Sequence, residues 1–156
     1  MATVVQRSVG GCWFTAEMAN LTVDETENYL HALAAELTDP HPGECLLCYV
    51  YRMLEHGCAG LRWASRYRDL RAPRATALER RLGDKGGFCD CEIFMNAYDL
   101  RPEHLVPERE QEGADGVATI TEPMYPTVMP LCLGVRRGST RPCGLWATRR
   151  RGWAGF

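Results

Sequence analysis

A chain of 156 residues is sized for one globular domain, and with 46% hydrophobic residues but no apolar run near 18 it carries no membrane span. Its opening, MATVVQRSVGGCWFTAEM, lacks a basic segment followed by an apolar one, so no secretory signal is read and the expected compartment is cytoplasmic. Thiols stay reduced there, so the 8 cysteines are read as metal ligands or free thiols rather than a disulfide framework.

The net charge of −2 hides blocks of opposite sign. Residues 52–85 carry nine basic residues against four acids, residues 89–122 carry nine acids against two arginines, and residues 123–156 carry six arginines and no acid. Such blocks can pair with each other or face different partners.

Residues 1–20 show no sustained period and are expected to be a flexible leader. Thr22-Val-Asp-Glu25 then fits a capping box, in which hydroxyl and carboxylate satisfy each other's free amides. Val23, Leu30, Leu33, Ala34 and Leu37 follow at helical spacing, and Asp39-Pro40-His41-Pro42-Gly43 stops that helix. A second helix is predicted from Glu44 to about Gly57, carrying Leu47, Val50, Met53 and Leu54. A third runs from about Gly60 to Leu70, with Leu61, Trp63, Ala64, Tyr67 and Leu70 able to face a core. A fourth is expected to begin at Pro73, a good first-turn residue, and to carry Leu78 and Leu82. After the Gly86-Gly87 turn, a short fifth helix takes in Ile93, Phe94, Ala97 and Tyr98.

Beyond Arg101-Pro102 the regular signal stops. Residues 102–116 are acidic and loop-like, and Pro123, Pro126, Pro130 and Pro142 argue against a long helix in 117–146. The expected fold is therefore all-α. It comprises a helical zinc-binding domain over 21–101, then an acidic loop and an irregular Pro- and Arg-rich tail over 102–156.

The cysteines carry the chemistry. Cys45-Leu-Leu-Cys48 opens the second helix, and Cys89-Asp-Cys91 follows the Gly-Gly turn. Two close pairs can supply four thiolates to a tetrahedral zinc at about 2.3 Å. Backbone amides at a helix start and a Gly-rich turn favour the thiolate form. The competing readings are plain burial as small hydrophobes and redox chemistry, which lacks the βαβ context a thioredoxin-like motif requires.

Gly57-Cys58, Leu61-Arg62-Trp63 and Gly86-Gly87-Phe88-Cys89-Asp90-Cys91-Glu92 also resemble landmarks of the domain of unknown function family 2695, small bacterial proteins common in actinobacteria. The resemblance covers about a third of the chain and implies four ligands, with a Cys-x-His pair ahead of the Cys-x-Cys. Here the position of that histidine reads as Gly60. The expected metal ligands are Cys45, Cys48, Cys89 and Cys91, with Cys58 as a substitute; His56 is read as a helix-end residue. Longer members look similar to a zinc-responsive, ribosome-associated factor that recruits a hibernation protein. That likeness implies a non-catalytic zinc adaptor whose partner is a ribosome or a ribosome-bound factor.

Other constellations are weaker. Arg62, Arg66 and Arg68 with Trp63 and Tyr67 could face RNA, although the spacing puts the aromatics on a core stripe and Arg62 and Arg66 on a solvated one. In the tail, Met124, Tyr125, Met129 and Trp146 with Arg149, Arg150 and Arg151 are the candidate partner-binding residues. An apolar segment beside a basic one suits a mixed surface of protein and RNA. A metal-dependent hydrolase or deaminase is the enzymatic alternative, with Glu92 as base, but no His-x-Glu pairs with a Pro-Cys-x-x-Cys motif. Cys132 and Cys143 are read as free thiols in a loop.

Overall fold

A computed structural model describes residues 22–107, 109–112, 118–121 and 123–149. The expected leader, Cys12, Arg150 and Arg151 lie outside the described residues. The chain divides into two compact units between Thr38 and Asp39.

The first unit contains helix α1, Val23–Thr38. Its start has the capping box expected from the sequence: the Thr22 amide donates to Glu25 Oε2 at 2.8 Å and the Glu25 amide donates to Thr22 Oγ1 at 3.3 Å. No residue of α1 is buried.

The second unit is built on α2 (Leu46–Met53), α3 (Arg62–Arg71), α4 (Leu78–Gly83) and the short α5 (Asp90–Glu92). Helix α2 tightens into a 3₁₀ turn, Leu54–His56, and stops at Gly57, whose φ of +87° is open only to a residue without a side-chain penalty. Helix α4 starts five residues later than Pro73 predicts, because residues 72–78 fold into two consecutive turns closed by Ala75 N–Ala72 O and Leu78 N–Ala75 O bonds of 2.8 and 2.9 Å. The expected fifth helix is a single α turn running into a π-helical turn, Ile93–Ala97, which still buries Ile93, Phe94 and Ala97.

The all-α expectation is corrected. Strand β1 (Tyr98–Leu100) pairs antiparallel with β4 (Trp146–Thr148), and β2 (Arg109–Glu112) pairs with β3 (Ala118–Thr121). The β1–β4 pairing sets Leu100 opposite Trp146, and both are buried. Three-residue strands so far apart in the chain leave no hairpin signal, and burial of these two side chains fixes the register instead.

The core therefore draws on both ends of the second unit. Tyr49, Val50 and Met53 of α2, Trp63 and Tyr67 of α3, Leu78 and Leu82 of α4, and Ile93 and Phe94 meet Cys143, Leu145 and Trp146 from the tail. Each fully buried large apolar side chain contributes about 1.5–3 kcal/mol, so the tail is part of this core. Tyr51, Phe94, Tyr125 and Trp146 form one aromatic cluster, with Phe94–Trp146 centroids 5.0 Å apart and Tyr51–Phe94 edge-on at 5.3 Å. The Tyr67 hydroxyl bridges the carbonyls of Glu44 at 2.9 Å and Ser139 at 3.2 Å. Leu70, expected on the core stripe of α3, is 48% exposed instead.

Candidate metal centre

The helix-opening Cys-x-x-Cys is positioned by its own backbone. Cys45 is the N-cap of α2 in extended conformation, and its sulfur accepts the Cys48 amide at 3.4 Å, taking the place of the usual capping oxygen. Glu44, just before it, is clamped by Arg52 through two bonds of 3.1 and 2.9 Å and accepts the His41 amide at 2.8 Å. The approach to the site is thereby fixed from both sides.

What meets this pair is the tail. Cys45, Cys48, Cys132 and Cys143 place their sulfurs all within 4.8 Å of one another. Cys48 Sγ and Cys143 Sγ are 3.7 Å apart, which matches the edge, about 3.8 Å, of a tetrahedron with arms of about 2.3 Å. Cys45 and Cys143 are buried.

The sulfurs are also supplied with N–H donors. Cys132 Sγ accepts the amides of Cys45 at 3.3 Å and Gly134 at 3.4 Å, and Cys48 Sγ accepts the Trp146 indole N–H at 3.2 Å. The Gly134 amide reaches back because the chain turns at φ +81° there, and Val135 N–Gly43 O at 3.0 Å ties that turn to the loop before α2. Donors aimed at sulfur stabilise thiolate ligands and orient them.

The protons reflect the crowding. With the thiols of Cys45 and then Cys48 directed at it, the Cys143 sulfur is drawn down to about 2. Cys45, sharing its proton with Cys143, is pushed up to about 12, and Cys48 is pushed up by Cys143 and Cys45. Metal binding to such a group of thiols releases their protons. The donor set, its spacing and its N–H partners all fit a metal ion.

A second cluster sits elsewhere in the same unit. Cys58, Cys89 and Cys91 also lie within 4.8 Å of one another, with Cys58 exposed and the other two half-buried. The acid between the two cysteines explains their placement. Asp90 is fully buried, and its carboxylate accepts the amides of Trp63 at 2.9 Å and Ala64 at 3.1 Å, capping α3 from a distant part of the chain. Burial pushes the Asp90 carboxyl above its usual range, against those two amides. The flanking cysteines are left toward the surface, and the Asp90 amide bonds Gly60 O at 2.9 Å, holding the Cys58 loop alongside. The Cys91 amide, directed at the Cys58 sulfur, lowers the Cys58 pKa, whereas sharing with Cys89 pushes Cys91 up to about 12.

The structure groups these cysteines differently from the expected set. Cys45 and Cys48 group with Cys132 and Cys143, which the sequence predicts to be free loop thiols, and Cys89 and Cys91 group with Cys58. The Pro-rich composition of 123–146 conceals the approach of Cys132 and Cys143 to Cys45 and Cys48. The Cys132-Leu-Gly134 turn, in which a glycine frees an amide toward sulfur, was the available signal.

The remaining candidate residues occupy more ordinary places. Trp146 is 2% exposed and clamps Cys48, so it belongs to the core rather than a partner surface. Tyr125 is half-buried, bonding Asp99 Oδ1 at 2.8 Å and accepting the Leu100 amide at 3.1 Å, and Met129 packs against the core. Met124 is 59% exposed. Arg149 pairs with Asp99 at 2.7 Å. On α3, Arg62 lies over the Trp63 ring at 4.0 Å, Arg66 pairs with Asp39 at 2.6 Å, and Arg68 pairs with Asp69 and Glu79. Glu92, the candidate base, accepts the Phe88 amide at 2.9 Å. His56, at the end of its 3₁₀ turn, is 3.3 Å from Glu55. Among the described residues no helix is long and apolar enough to cross a membrane.

No curated protein and no solved structure matches the chain. Residues 46–96, about a third of it, match the model of a family described as protein of unknown function (DUF2695), and over that helical centre the chain is similar to that family.

Proposed function

We propose that this protein is a non-catalytic zinc-binding adaptor in which a closed tetrathiolate of Cys45, Cys48, Cys132 and Cys143 fastens the C-terminal segment to the helical core. The observation that carries this reading is the convergence of two cysteines from the start of α2 with two from the tail within 4.8 Å. Four thiolates from one chain complete the coordination of zinc and leave no position for an activated water, which is the pattern of a structural site. All-sulfur donors suit zinc among the soft-binding metals. Metal binding then becomes folding free energy, of order 10 kcal/mol in sites of this kind.

The test is elemental analysis of protein purified without a metal-affinity tag, followed by chelation. Zinc is expected in the purified protein, and its removal is expected to release residues 123–149 to proteolysis. Metal-free protein that remains fully folded would sink the reading.

The partner proposed for the adaptor is a ribosome or a ribosome-bound factor. Support comes from the likeness to a zinc-responsive ribosome-associated factor and from the six arginines, without an acid, in residues 123–156. Exposed Met124, Val128 and Leu131 beside this basic stretch supply an apolar contact, and phosphate contacts would make binding salt-dependent. Pull-downs from zinc-replete and zinc-starved cells should recover ribosomal components, less of them as salt rises. Recovery of neither ribosomal protein nor rRNA in either condition would end the ribosomal reading and leave the zinc module standing.

A further inference from the structure

We propose that Cys58, Cys89 and Cys91 form a second zinc site, three-coordinate in protein donors and open to solvent at the fourth position, which exchanges its metal faster than the closed site. The three sulfurs already lie within 4.8 Å of one another, and the backbone holds them there. Gly57 turns the chain at φ +87° just before Cys58, the Asp90 amide binds Gly60 O at 2.9 Å, and the buried Asp90 carboxylate anchors the Cys-x-Cys to the start of α3. Cys89 Sγ and Cys91 Sγ are 3.1 Å apart. That separation exceeds a disulfide bond of about 2.05 Å and is shorter than the tetrahedral edge of about 3.8 Å. Side chains that are only half-buried can turn apart by the difference.

The fourth position distinguishes this site. Among the described residues no His, Asp or Glu joins the three thiols, and a side chain built at Gly60 would point into open space. On uptake, three Zn–S bonds form, three thiol protons pass to solvent, and a water completes the tetrahedron, leaving a zinc thiolate of net charge −1. Nothing is oxidised or reduced. A solvent-held position is also where an incoming chelator or donor thiolate attacks. The closed site lacks that entry, and its sulfurs carry the indole clamp and the Gly134 amide. Loss of such outer support typically costs 10–100-fold in affinity, so exchange is expected to be about tenfold faster or more at the open site.

The experiment loads full-length protein with zinc, counts metal by native mass spectrometry, and tracks release to a chromogenic chelator. Two zinc ions and two release phases are expected. Cys58→Ala should remove the fast phase and one zinc while the slow phase persists and the melting temperature falls far less than on loss of the closed site, since Cys58 is exposed; Cys91→Ala should do the same. One zinc with a single phase that Cys58→Ala leaves untouched would overturn the proposal. A Cys89–Cys91 disulfide in protein purified anaerobically with reductant would overturn it equally. If the closed site fails instead, the slow phase is missing and the Cys58-dependent fast phase remains.

Discussion

Cys45 and Cys48 meet Cys132 and Cys143 across the whole second unit, whereas Cys58 meets Cys89 and Cys91 at its surface. The first set is complete in donors, half of it is buried, and its sulfurs receive amides and an indole N–H. The second set is one donor short, is exposed at Cys58, and is held mainly through the acid lying between two of its members. Donor number and burial set what a cysteine cluster can do. A closed set can hold a fold together, and an open set can trade its metal. Closeness in sequence, which pairs Cys45 with Cys48 and Cys89 with Cys91, does not reveal which pairs share a centre.

The sharpest way to break this contrast is substitution within each set. Cys143→Ser should uncouple the tail from the core, remove the closed-site zinc, and forfeit metal-linked folding free energy of order 10 kcal/mol. Circular dichroism and thermal melting should show a largely unfolded second unit, whereas Cys58→Ala should melt far closer to the parent. Equal melting of the two variants would erase the distinction.

Next in size is Trp146→Phe, which keeps an aromatic ring but removes the donor to Cys48 and leaves a gap in the core. A loss of about 1–3 kcal/mol is expected in denaturant unfolding, together with faster zinc release from the closed site alone. Unchanged release kinetics would mean that the indole packs without tuning the sulfur.

Asp90→Asn acts on the open site through its anchor. One of the two amides at the start of α3 loses its acceptor, at a cost of about 1–2 kcal/mol. The fast release phase should accelerate with the slow one unmoved. A change in the slow phase alone would show that Asp90 serves the wrong cluster.

The smallest effect concerns Glu79, which joins α4 to α3 through Ser65 and Arg68. The Ser65 hydroxyl first, then Arg68, holds its carboxyl below the usual range. Its folded pKa is therefore depressed, so its contribution is present above the ordinary carboxylate pKa and fades as the pH falls through the lowered one. Because the pair is exposed, the contribution is within about 1 kcal/mol. Glu79→Gln should flatten this part of the acid limb of a stability–pH profile and leave both zinc release phases intact.

Much of the helical frame was legible because its signals are local. The Thr22–Glu25 capping box and the Gly57 stop are decided within a few residues, and α2 and α3 each start within two residues of expectation. The tail was opaque for the opposite reason. Among the described residues of 123–146 its prolines go with no helix, but Leu145 and Trp146 are ordered by tertiary burial and Cys143 lies beside Cys45 and Cys48 from far along the chain, none of which leaves a period in the sequence. Asp90 shows the same limit on a smaller scale. Nothing beside it in the sequence marks it as a cap, yet its carboxylate caps a helix that begins 28 residues earlier in the chain.

The closed tetrathiolate is tested most directly by zinc K-edge X-ray absorption on a variant lacking the open site, with Cys58, Cys89 and Cys91 all replaced by alanine. One zinc per chain with four sulfur neighbours at about 2.3 Å is the predicted result. Loss of zinc from this variant, or oxygen or nitrogen neighbours in place of any of the four sulfurs, would contradict the assignment of Cys45, Cys48, Cys132 and Cys143 to one centre.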